Sequence, residues 1–89
     1  MRLDLFLKTT RLIKRRPLAK EAADAGCVRI NDRVAKAGDD VRPGDRVVID
    51  LTNRHVEAEV LAEPPKQLRK DRIDDYIRIL DARSGPNEA

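Results

Sequence analysis

With 89 residues and only Phe6 and Tyr76 as aromatics, the chain has room for one small domain with a thin, aliphatic core. Its 19 basic and 16 acidic residues are too evenly mixed for a disordered polyelectrolyte and imply a folded, soluble domain. No apolar run approaches the about 18 residues of a membrane span, no secretory signal is evident, and a lone Cys27 excludes a disulfide framework or a cysteine-based zinc cluster, so a cytoplasmic location is expected.

Along the chain, Leu3, Phe6 and Leu7 fall at helical spacing and Leu12 and Ile13 add apolar contacts, so residues 3–13 are predicted to form an amphipathic helix. Arg2, Lys8 and Arg11 lie off its buried face. Pro17 suits the first position of a second helix and biases Arg16 towards extended backbone. Residues 18–25 then read as a short helix that buries Leu18, Ala22 and Ala25 and is stopped by Gly26. From Cys27 the apolar period changes to two. Val28 and Ile30 make a strand, Asn31 and Asp32 form a turn tolerant of positive φ, and Val34 returns on the other side. A turn at Pro43 and Gly44 feeds a strand in which Val47, Ile49 and Leu51 share one face while Val48 takes the other. Thr52 and Asn53 turn the chain into Val56, Ala58 and Val60, which alternate with His55, Glu57 and Glu59. Pro64 and Pro65 then interrupt the pattern. Beyond them Ile73, Tyr76, Ile77 and Leu80 fit helical spacing, and residues 76–80 also read as a strand; the helix is favoured.

These elements predict an α+β fold: two short N-terminal helices packed on a small, bent antiparallel sheet. The domain is expected to occupy residues 1–62, with a C-terminal extension over 63–83 packed against it and a disordered tail over 84–89.

The positive charge is segregated. Residues 1–20 hold seven basic groups (Arg2, Lys8, Arg11, Lys14, Arg15, Arg16 and Lys20) against the single acid Asp4. The rest of the chain is net negative. A basic segment held on folded helices is the electrostatic footprint of a polyanion partner. Arginine forks span two phosphate oxygens, and with no tryptophan for base stacking the better target is structured RNA. Asp4 is expected to orient a neighbouring arginine. Catalysis finds little support: His55 reads as a solvated strand residue and Cys27 as a small, partly buried one. The Asp39–Asp40 and Asp74–Asp75 pairs read as solvated, and neither a glycine-rich phosphate loop nor metal-ligand spacing stands out. Neither enzymatic activity, nor a cofactor, nor a metal is expected.

The first half of the chain resembles the S-four-type RNA-binding domain, also called the αL motif. Its marks are two short helices bearing Arg and Lys, a glycine (Gly26), and a Val-x-(Val/Ile)-Asn hairpin, here Val28 to Asn31. Lys36 and a Val-x-x-Gly-Asp turn over residues 41–45 follow. Leu5, Asp32 and the Ala37–Gly38 pair depart from the commoner residues of that pattern. Arg2-Leu3-Asp4, the run from Arg11 to Arg16 and the later Tyr76-Ile77-Arg78-Ile79-Leu80 are similar to the stand-alone, ribosome-associated RqcP and heat-shock protein fifteen families. The resemblance implies RNA contacts from Arg2, Lys8, Arg11, Lys14, Arg15, Arg16, Lys20 and Lys36, with Asp4 and Asn31 supporting. It further implies a monomer in ribosome-associated quality control, with large-subunit ribosomal RNA, peptidyl-tRNA and an alanine-tailing factor as partners. Recycling of stalled large subunits, or service as the RNA-binding subunit of a modification enzyme, are the alternatives.

Overall fold

The period-two segments pair into one five-stranded antiparallel sheet in a computed structural model, which describes residues 1–84. The order of elements is α1 (Leu3–Thr9), α2 (Arg16–Asp24), β1 (Val28–Ile30), β2 (Arg33–Val34), β3 (Arg46–Leu51), β4 (Arg54–Val60), a 3₁₀ turn (Lys70–Asp75) and β5 (Ile77–Ser84). The strands lie in the order β2-β1-β3-β4-β5. Val28, Val47, Ile49, Val56, Ala58 and Val60 form one continuous core with Leu3, Phe6 and Leu7 of α1 and Ala19 and Ala23 of α2. Fully burying each of the larger apolar side chains contributes roughly 1.5–3 kcal/mol, so α1 supplies much of what stabilises the domain.

The first helix is shorter than its apolar spacing suggests. It stops at Thr9, because Arg11 adopts a left-handed φ of 63°. The Thr10 hydroxyl donates to the Phe6 carbonyl at 2.8 Å, and the Ile13 amide reaches back to the Leu7 carbonyl at 3.1 Å. Leu12 and Ile13 are still buried, but from a turn rather than a helix. At the other end, the Leu3 and Asp4 amides, which have no partner within α1, donate to the Asp39 and Ala37 carbonyls at 2.8 and 3.2 Å. The loop around residues 37–41 therefore closes the N-terminus of α1.

The second helix is rotated from expectation. Ala19 and Ala23 are fully buried, whereas Leu18 is half exposed and Ala25 lies at the surface. One residue is about 100° of helix, so the error amounts to a single step. Small residues spaced four apart let α2 approach α1 closely, and Leu18 would not fit there. Gly26 ends the helix at φ 86°, with Gly26 and Cys27 amides donating to the Ala23 and Ala22 carbonyls at 3.0 Å each. That double bond pattern is the Schellman motif.

Asn31 and Asp32, at φ 52° and 68°, form the two-residue turn between β1 and β2. The favoured C-terminal helix is not formed. Residues 70–75 make only a 3₁₀ turn, and Ile77–Ser84 is a strand paired with β4 from Val60↔Ile77 to Arg54↔Ser84, with a register shift at Glu57/Ala58. The reason is that β4 would otherwise be a bare sheet edge, and pairing it satisfies a row of backbone groups that a separate helix would leave open. Ile77 enters the core and Ile73 packs against it. Of the expected tail over 84–89, Ser84 ends β5 and the remainder lies outside the described residues.

Candidate nucleic-acid interface

The centre of the basic region is a buried carboxylate. Asp4, in the first turn of α1, is only 3% exposed, and a charge so removed from water needs matched partners. It has three. Its Oδ1 accepts from Arg2 Nε at 3.2 Å and from the Leu5 amide at 2.8 Å, and its Oδ2 accepts from Arg16 Nε at 3.3 Å. Burial alone would push the Asp4 carboxyl up; the hydrogen bonds from Arg2, the Leu5 amide and Arg16 outweigh it and hold the group below the ordinary carboxylate range.

Both arginines stay reachable, their side chains being 55% and 46% exposed. Local structure explains how they meet. Arg2 precedes α1 in extended backbone, and Arg16 opens α2 just before Pro17, so one helix start faces the other across the buried acid. Each guanidinium uses its Nε edge, and in Arg2 one terminal nitrogen, on Asp4, which leaves the other nitrogens for an outside acceptor. Two planar forks fixed at one carboxylate, close together and preorganised, have the donor geometry that phosphate oxygens accept.

The other candidate residues divide into groups. Lys8, Arg11 and Lys14 are exposed and line one recess together with Lys66, Gln67 and Leu68. Arg11 and Lys14 also border an apolar groove floored by Leu18, Ala22 and Leu51 and rimmed by Arg54. Arg15 is the exposed residue before α2, and Lys20 is exposed along that helix. Lys36 stands apart: its ammonium donates to the Asp24 carbonyl at 3.3 Å, at the end of α2 opposite Arg16. Asn31 supports the fold rather than a ligand. Its side chain donates to Asp45 and accepts from the Arg46 amide, both at 2.9 Å, locking the β1–β2 turn to the start of β3.

Lys66, one of the basic groups that with Arg69, Lys70 and Arg72 make the C-terminal extension a candidate contact element, joins this surface, and Arg54 joins it without any mark in the local pattern. Nothing in the spacing of either residue points to Lys14; only the return of the chain after β4 and the β3–β4 turn bring them near.

Two short helices backed by a bent antiparallel sheet agree in fold with known proteins. The S4 domain model matches residues 1–47. The chain belongs to the S4 domain family and, within it, to the family of RQC P-site tRNA stabilizing factors. The relative of that name in Bacillus subtilis is 53% identical over 60 residues, 67% of this chain and 70% of its own. The one in Streptococcus pneumoniae is 37% identical over 87 residues, covering 98% of this chain and 99% of the relative. Among solved structures, the trimeric Heat Shock Protein 15 of Vibrio cholerae superposes with a TM-score of 0.79 over 89% of this chain and 80% of its own, at 24% identity, a likeness of fold. No helix among the described residues is long and apolar enough to cross a membrane.

Proposed function

We propose that the protein is a non-catalytic, RNA-binding factor of ribosome-associated quality control in the cytoplasm. On this reading it binds large-subunit ribosomal RNA and the peptidyl-tRNA of an obstructed subunit, holds that tRNA in the P site, and so supports alanine tailing of the stalled chain by a partner factor. The observation that carries the proposal is the Asp4 clamp. It presents two arginines in fixed relation on a family scaffold whose relatives are named for stabilising a tRNA. Holding a tRNA in one position requires rigid contacts to its backbone and no reacting group, and fixed guanidinium forks provide such contacts without reading sequence. Lys8, Arg11, Lys14, Arg15 and Lys20 extend the positive surface around the clamp, and Lys66 adds a cation from the C-terminal extension.

Sedimentation of tagged protein from cell extracts, with the co-purifying RNA identified, tests this directly. The protein is expected in large-subunit fractions that contain peptidyl-tRNA. Arg16→Ala should remove it from those fractions while the chain stays folded with only a modestly lowered melting temperature, since Asp4 loses one partner but keeps Arg2 and the Leu5 amide. Normal subunit binding by Arg16→Ala would refute the clamp.

A further inference from the structure

On the sheet face opposite the helices, His55 stands among carboxylates, Glu57 from its own strand and Asp50 and Asp81 from strands that the linear sequence does not place beside it. Antiparallel register sets Asp50 opposite His55 on one side and Glu57 opposite Asp81 on the other, all on the same face. His55 Nε2 lies 3.4 Å from a Glu57 oxygen and 3.9 Å from an Asp81 oxygen, while Nδ1 lies 3.6 Å from an Asp50 oxygen. The His55, Glu57 and Asp81 side chains are 22%, 29% and 37% exposed, sunk in the face but open to an ion.

We propose that His55, Glu57 and Asp81 form a binding site for a zinc-class divalent cation that ties β4 to β5. The donor set is the first reason: one imidazole nitrogen and two carboxylates suit zinc and its neighbours and do not suit magnesium, which prefers oxygen and water. The second reason is geometry. Ligands about 2.1 Å from a tetrahedral ion are about 3.4 Å from each other, and the three donor atoms here lie within 4.8 Å of one another. Strands supply them, so small side-chain rotations close the site without moving backbone. The third is the group behind the histidine. A ligating imidazole commonly donates its other N–H to a carboxylate, which fixes the tautomer; Asp50 stands 3.6 Å from Nδ1, just beyond hydrogen-bond distance, and would take that role after a small side-chain movement, while Nε2 faces Glu57 and Asp81. Arg83 lies 3.1 Å from Asp81 Oδ2, the same oxygen that lies 3.9 Å from His55 Nε2, so an ion taking this oxygen displaces or shares the Arg83 contact. The fourth coordination position is open to water, which makes the site structural or regulatory according to what replaces that water.

Cobalt(II) titration of the full chain carrying Cys27→Ser, which removes the competing thiol, tests the site. One ion per chain should bind, with the intense visible absorption of a tetrahedral nitrogen and oxygen set. Zinc should displace it, and either ion should raise the melting temperature, because it binds the folded chain alone. His55→Gln should abolish binding, Glu57→Gln and Asp81→Asn should weaken it, and Asp50→Asn should weaken it by about 10–100-fold through the histidine. Circular dichroism of each variant verifies folding, and Glu57→Gln keeps the imidazole in place should His55→Gln misfold. Absence of saturable binding below millimolar cobalt, or binding unchanged in Glu57→Gln and Asp81→Asn, would overturn the proposal and leave His55 as an imidazole held among carboxylates.

Discussion

The Asp4 corner and the His55 face are built from the same kinds of group in inverse proportion. At the corner, one carboxylate 3% exposed is matched by two half-exposed guanidiniums, so the surface shown to solvent is positive. On the far face, one half-buried imidazole and Arg83 stand among Asp50, Glu57 and Asp81, so the immediate surroundings of the imidazole are negative. A small domain with little apolar area cannot separate its charges by distance. It pairs them locally: on the strand side Arg78 stands beside Glu59 and Arg83 beside Asp81, and at the corner Arg2 and Arg16 share Asp4. In each region the buried or half-buried group fixes the position of the exposed ones, and the exposed ones set the sign of the field.

Removing the strand that completes the His55 face should have the largest effect. Truncation after Pro65 deletes β5, leaves β4 as a bare edge and withdraws Ile77, which is 3% exposed and worth roughly 1.5–3 kcal/mol alone. Against the marginal stability of a domain this small, the truncated chain should melt far lower and bind hydrophobic dye. An unchanged melting temperature would mean that residues 66–84 serve contacts rather than the fold.

Next in size is the salt response of the positive face. If the clamp and its surrounding lysines neutralise about four to six phosphates, log affinity should fall by about 0.7–0.9 per phosphate for each unit of log salt. Glu57→Gln on the opposite face should leave that slope unaltered. A flat response, measured by filter binding or polarisation on RNA across a salt series, would indicate protein docking instead.

Asp4 links the two arginines, and its loss should be smaller but diagnostic. Asp4→Ala should cost about 1–2 kcal/mol, since the freed arginines are half exposed and regain water. The pH dependence carries a sign. The Asp4 carboxyl is held below its ordinary value, so its contribution is complete above the unfolded value of about 3.9 and is lost as pH falls through the folded one. Asp4→Asn should lack that part of the acid loss in melting curves taken over a pH series.

The smallest effect separates the clamp from its periphery. Lys36→Ala, at the far end of α2, should change RNA affinity by much less than Arg16→Ala and stability by a few tenths of a kcal/mol, the loss of one exposed helix-end contact. A loss equal to that of Arg16→Ala would extend the interface along the whole helix.

Much of this was legible in the residues. Pro17 before α2, Gly26 after it and the Asn31–Asp32 turn act through their own backbone dihedrals, so each works the same way in any surroundings. The segregation of Lys and Arg in the first twenty residues likewise points to a polyanion, and Asp4, as the lone acid among them, is read as an orienting group. The rest was not legible because it depends on partners distant in sequence. Leu18, Ala22 and Ala25 and the observed Ala19 and Ala23 satisfy nearly the same periodicity, and only the closeness of α1 selects between them. Residues 76–80 carry helical and extended spacing together, and the unpaired edge of β4 decides for the strand. That His55 is followed by Glu57 two positions later is plain in the chain, but Asp50 and Asp81 reach it through register on either side. Lys66 meets Lys14 only because the chain doubles back. Local propensity and composition, which are properties of a residue and its near neighbours, thus determined most of the elements, the ends of α2, the β1–β2 turn and the positive charge of the first twenty residues, but neither the early end of α1 nor the strand at the C-terminus. The tertiary structure alone decided which face each element buries and which charges share a site, because those depend on free energy gained only when segments far apart along the chain come into contact.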